Sequence, residues 1–155
     1  MANFELIVLG IYEDPQRRIL LVQNPFGKLC LPGGTVRTLP NQQPQEEFEV
    51  ETVERSSFEK TGLALDAIMP IALYSPDDQA KVIKVYLMVC EGSLPRSNWR
   101  TKKGYKPIYL RRKEILRQTN ILFTDKAIIK YYLAKKRKNP AFTHTRLLVV
   151  ETIAS

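Results

Sequence analysis

The sequence predicts a single α/β domain built around a β-sheet, and three observations predict it. Apolar runs rich in β-branched residues come in pairs, first at 4–12 and 19–23 and again at 64–74 and 81–90. An acidic helical segment from Glu46 to Lys60 separates the two pairs and stops at Thr61-Gly62. A second helical segment runs to about Lys138, with Ile128, Ile129, Tyr132 and Leu133 on one face. With 155 residues, 44% apolar and 26% charged, the chain suits one domain that buries a proper core.

In chain order, Phe4–Tyr12 and Ile19–Gln23 read as a β-hairpin, because the turn-forming cluster Glu13 to Arg18 lies between them. Leu29 to Leu31 makes a short strand that ends in Pro32-Gly33-Gly34, and Thr35 to Gln45, polar with two prolines, reads as a lid-like loop. The helix at 46–60 has a thin core stripe of Val50, Val53 and Phe58, with Gly62 suited to its left-handed C-terminal cap. Ala64–Tyr74 and Lys81–Cys90 read as a second hairpin, followed by a basic loop, Ser93 to Lys106, that holds Trp99. Pro107–Leu110 is then a short strand, Lys113–Arg117 a helical turn, and Thr124-Asp125 the cap of the late helix. The tail at 141–155 is strand-like from Arg146 to Ile153 and could serve a homodimer.

Charge divides the chain. Residues 1–94 carry 8 Lys/Arg against 13 Asp/Glu, whereas residues 95–155 carry 16 against 3, giving +8 overall. A basic half of this kind can meet nucleic acid, an anionic small molecule, an acidic partner, or simply solvent. No RNA-binding aromatic signature or zinc-finger spacing is present, so a dedicated nucleic-acid module is not expected. Trp99 and Tyr105 could stack on a base with Arg96, Arg100, Lys102 and Lys103 on phosphates, although packing of Trp99 on the domain is the plainer account. His144 is the only histidine, which excludes a His-dependent triad and a multi-histidine metal site. Cys30 and Cys90 sit in apolar runs and read as reduced core thiols of a cytoplasmic protein. Neither a signal peptide nor a membrane span is expected.

The order of hairpin, Leu31-Pro32-Gly33-Gly34, loop, acidic helix, Thr61-Gly62-Leu63, paired strands and late helix resembles the Nudix hydrolase family over roughly residues 4–137. The resemblance implies a Nudix-type α/β/α sandwich around a mixed β-sheet. It also implies Mg²⁺- or Mn²⁺-dependent hydrolysis of a nucleoside diphosphate linked to another moiety. Breaking a phosphoanhydride needs divalent charge on the phosphoryl oxygens and an activated water. Helix glutamates three and four apart supply the hard oxygen ligands.

The family's box is a Gly, five residues, a Glu, seven residues, then Arg-Glu-apolar-x-Glu-Glu-x-Gly-apolar. Gly34, Glu47, Arg55, Glu59, Gly62 and Leu63 match it in register, within a box region of 33–63. Ser56 and Lys60 stand where the family has glutamates, and Ser57 where it has an apolar residue. Leu29 replaces a common tryptophan, and seven extra residues separate Gly34 from Glu47.

By resemblance, Arg55, Glu59 and Glu47 are the catalytic candidates, Gly33, Gly34 and Lys60 would bind substrate, and Glu59 with Glu51 would hold the metal. Glu47, Glu51, Arg55 and Glu59 form one i,i+4 row, in which Glu51 and Glu54 also read as a solvated acidic face. A unit positive charge about 4 Å from a divalent ion repels it by about 8 kcal/mol at most, for an effective dielectric near 20, so Lys60 opposes a metal there. Two alternatives therefore stand beside hydrolysis. One is an inactive module that binds a nucleotide or other phosphorylated ligand, and the other is a protein-interaction domain.

Overall fold

The computed structural model describes residues 5–36, 46–75, 81–90, 103–138 and 151–153. Within these residues the strands are β1 (Glu5–Ile11), β2 (Arg18–Gln23), β3 (Leu29–Cys30), β4 (Gly33–Thr35), β5 (Leu65–Tyr74), β6 (Lys81–Cys90), β7 (Lys106–Arg111) and β8 (Glu151–Ile153). The helices are α1 (Glu46–Thr61), α2 (Arg112–Arg117) and α3 (Phe123–Lys138). Five strands form a mixed sheet in the order β4-β1-β6-β5-β8, and three form an antiparallel sheet, β3-β2-β7.

Strand periodicity sorts β1 onto two cores. Leu6 and Val8 pack with Val53 of α1, whereas Leu9 and Ile11 pack with Ile128, Ile129 and Tyr132 of α3. Alternate residues of a strand point to opposite faces, so α1 and α3 cover opposite sides of the sheet as the predicted α/β/α sandwich requires.

The first predicted hairpin is corrected. β1 and β2 meet only at their turn, through the Glu13–Ile19 bridge and a 3.0 Å bond from Leu20 N–H to the Tyr12 carbonyl. Beyond it they enter different sheets, because β4 and β6 occupy both edges of β1. Asp14 fixes the turn, accepting from the amides of Gln16 and Arg18 and from the Arg18 guanidinium. The second hairpin forms as predicted, β5 lying antiparallel to β6. Bulges between Ala67 and Met69 and between Pro70 and Ala72 move its apolar residues from the α1 side, Leu65 and Ala67, to the α3 side, Met69 and Ile71.

α1 ends one residue later than predicted, and Gly62, at φ 76°, supplies the left-handed turn that stops it. Its buried stripe differs from the expected one. Phe58 is 55% exposed, while Thr52, Val53, Ser56, Ser57 and Thr61 are buried. Small polar side chains are tolerated there because Thr52 and Thr61 return their hydroxyls to the carbonyls of Phe48 and Ser57. Glu49 is buried as well, and its carboxylate accepts from Lys84 and from Tyr86, each at 2.7 Å, which ties α1 to β6.

Candidate ligand-binding cleft

Gly33, Gly34 and Thr35 form β4, antiparallel to β1, so the strand takes in Thr35, where a loop was expected to begin. Gly33 has φ 149°, and a Cβ there would lie 2.0 Å from the Val8 carbonyl oxygen, so no other residue fits this backbone. Gly34 is needed for a different reason, since a Cβ on it would stand 2.8 Å from Ser56 Oγ of α1. Glycine thus lets strand and helix approach closely. At that junction Lys60 reaches across from α1, and its Nζ donates to the Gly33 carbonyl at 2.7 Å. The same ammonium lies 5.5 Å from the centre of the Tyr105 ring, a cation–π distance.

Below this junction opens a cleft of about 270 Å³, lined on one side by Gly33, Gly34, Thr35 and Lys60 and on the other by Leu122, Thr124 and Asp125. Ile7, Leu9, Lys81 and Ile83, from the parallel strands β1 and β6, contribute the apolar floor and a second ammonium. Asp125 corrects the expected cap: α3 begins at Phe123, and the Asp125 carboxylate instead accepts the Leu31 amide at 2.7 Å, pinning the helix to the approach to Pro32. Burial pushes this carboxyl up to about 6, against the opposing pull of the Leu31 and Thr124 hydrogen bonds and the Lys60 charge. Cys30 also lines the cleft, half-buried and not in the core as expected. Burial first, then the Asp125 charge, raise its thiol to about 11, which leaves it protonated and a poor nucleophile.

Gly33, Gly34 and Lys60 thus line the cleft together, and Glu51, Arg55 and Glu59 are not among its lining residues. Arg55 and Glu59 form an i,i+4 pair at 3.9 Å on the solvent side of α1, 60% and 63% exposed, and Glu51 lies on the same exposed row. Glu47 lies in the first turn of α1, but its side chain is outside the described residues. Outside them too lie residues 37–45 of the predicted loop, Trp99 with Arg96, Arg100 and Lys102, His144 and the tail at 141–150. Sequence reasoning missed Lys81, Leu122 and the cleft-facing role of Asp125. Lys81 is followed by the consecutive apolar residues Val82 and Ile83, so no local pattern marked it, and its place in the cleft comes from the pairing of β6 with β1.

No family model matches the chain, and no curated protein matches it. Solved structures do. A NUDIX hydrolase from Nitrosomonas europaea superposes with a TM-score of 0.69 at 17% identity, covering 100% of this chain and 81% of that one. The chain has the Nudix hydrolase fold. An ADP-ribose pyrophosphatase from Streptococcus suis gives 0.66 at 15% identity, over 97% of this chain and 100% of that one. A MutT protein from Methanosarcina mazei gives 0.64 at 15%, over 86% and 96%. Among the described residues no helix is long and apolar enough to cross a membrane.

Within this Nudix fold, the α1 positions that face β4 do not offer a divalent ion the ligands it requires. Ser56, buried against Gly34, is a neutral hydroxyl, and Lys60 is a cation bonded to Gly33. Glu59 faces solvent beside Arg55. Among the described residues, no group of three or more His, Cys, Asp or Glu is arranged to hold a metal. Mg²⁺ takes hard oxygen ligands with at least one or two carboxylates among them, and a buried hydroxyl beside an ammonium supplies none at this junction.

Proposed function

We propose that this Nudix-fold chain binds a phosphorylated small molecule, of the nucleoside-diphosphate-linked class, in the cleft between β4 and the start of α3. The observation that carries the reading is the convergence of Lys60 and Lys81 on a cleft whose wall includes the Gly33-Gly34 backbone. Lys81 is paired with Glu5 at 3.9 Å, so Lys60 is the ammonium of the lining that is left to favour an anion. Lys60 is fixed by Gly33, so little ordering of its side chain is left for the ligand to impose. Ile7, Leu9, Ile83 and Leu122 offer apolar surface to the remainder of the ligand, the usual composition of a small-molecule site.

Hydrolysis with Mg²⁺ or Mn²⁺ held by Glu59 and Glu51 is the second reading, favoured by the fold neighbours, among them a NUDIX hydrolase and an ADP-ribose pyrophosphatase. A panel of nucleotides and nucleotide sugars, scored both for melting temperature and for product, tests the two together. Stabilisation without product supports the binding reading, and metal-dependent product supports the hydrolase. An unchanged melting temperature with every compound would remove the cleft as a phosphate-ligand site.

A further inference from the structure

We infer that the cleft takes its phosphorylated ligand without a divalent ion, the ammonium of Lys60 supplying the positive charge at the junction of α1 and β4. The inference rests on the proposal that the cleft binds a phosphorylated ligand, and it adds what neutralises the phosphate there.

Three observations carry it. The first is position. Lys60 Nζ holds the Gly33 carbonyl at 2.7 Å, beside the close approach of Gly34 to Ser56, so a cation is already seated where strand and helix meet. The second is spare capacity. An ammonium has three N–H donors, and among the described residues the Gly33 bond is the one hydrogen bond that Lys60 makes. Donors remain for phosphoryl oxygens, in charge-assisted bonds stronger than neutral ones. The third is the charge balance of the lining. Two ammonium groups, Lys60 and Lys81, line the cleft with Asp125, and Glu5 pairs with Lys81 at 3.9 Å, so the positive charge offered to a phosphate is that of Lys60. A divalent ion brought to the same junction would meet a like charge in place of a carboxylate. Lys60 is partly buried beside the Tyr105 ring, which weakens solvent screening of that repulsion in part.

The test is a titration of the full chain with inorganic pyrophosphate, ADP and ADP-ribose, once in chelator and once in Mg²⁺, with both affinity and melting temperature read. At least one of the three should bind in chelator, and Mg²⁺ should not tighten it. Replacing Lys60 by Gln should weaken that binding by about tenfold or more, the scale of losing a hydrogen bond to a charged group. Lys60→Arg, which keeps the charge, should retain most of it, and circular dichroism would confirm that both variants fold. Binding that appears only with Mg²⁺ would overturn the inference while leaving the ligand site intact. So would undiminished binding by a folded Lys60→Gln variant in chelator. Failure of all three compounds in both conditions would remove the ligand site itself, and the inference with it.

Discussion

Ser56 Oγ of α1 lies 2.8 Å from the point where a Cβ on Gly34 of β4 would stand, and Ser56 Cβ lies 3.4 Å from it. Strand and helix therefore touch through a residue with no side chain. Gly34→Ala should destabilise the fold by about 1–3 kcal/mol, the usual cost of overpacking. Ser56→Ala should recover part of that loss in the double variant, because it removes the nearer of the two atoms. A double-mutant cycle by chemical denaturation measures the coupling, and strictly additive effects would contradict the contact.

Ser57 provides a test of α1 packing away from the cleft. Its hydroxyl is fully buried and has no hydrogen-bond partner among the described residues. An unsatisfied buried hydroxyl costs about 1–3 kcal/mol, so Ser57→Ala should stabilise the chain by about 1 kcal/mol and raise Tm by about 2–4 °C. A lower Tm would mean that the hydroxyl is used.

These helix residues also show how far the sequence could be read. The extent of α1 was legible because Gly62 and the run of glutamates mark a helix and its end. Its buried stripe was not, because Thr52, Ser56, Ser57 and Thr61 are small and polar and leave no apolar periodicity to follow. In the same way, the strands β1 and β2 were legible as runs but not as members of different sheets, which depends on partners distant in sequence. Within the cleft, Gly33, Gly34 and Lys60 were found through the box spacing. Lys81 and Asp125 were not, since only the parallel pairing of β1 with β6 and the bond from Leu31 to Asp125 bring them there.

Asp125 makes stability depend on pH. Its carboxyl is raised on folding from an ordinary 3.8 to about 6, so between those values the folded chain binds more protons than the unfolded one. The stabilisation is complete below the lower value and is lost as pH rises through the upper one, by about 3 kcal/mol at most. Ionised Asp125 also opposes an anion beside Lys60, so ligand affinity should increase as pH falls through about 6. Asp125→Asn keeps an acceptor for the Leu31 amide and should flatten both trends. A pH slope that survives in this variant would assign the effect to another group.

The metal preference of the junction should be reversible by charge. Lys60→Glu combined with Ser56→Glu replaces a cation and a hydroxyl by two carboxylates beside β4. Calorimetry should detect Mg²⁺ binding in the double variant that is far weaker in the unmodified chain; removing even supporting groups at metal sites costs about 10–100-fold in affinity. Because Ser56 is packed against Gly34, the double variant should also be less stable than the parent. Equal Mg²⁺ affinity in the two proteins would contradict the charge account.

The most direct measurement is a site-resolved one: amide chemical shifts of the intact chain titrated with ADP in chelator. The account predicts the largest changes at Gly33, Gly34, Lys60 and Leu122, around the cleft. It also predicts little change at Tyr12, Ile68 and Cys90, which line a separate cavity of about 410 Å³ at the far end of β1 and β6. Shifts centred on that second cavity, or shifts at Gly33 and Lys60 that appear only after Mg²⁺ is added, would contradict it.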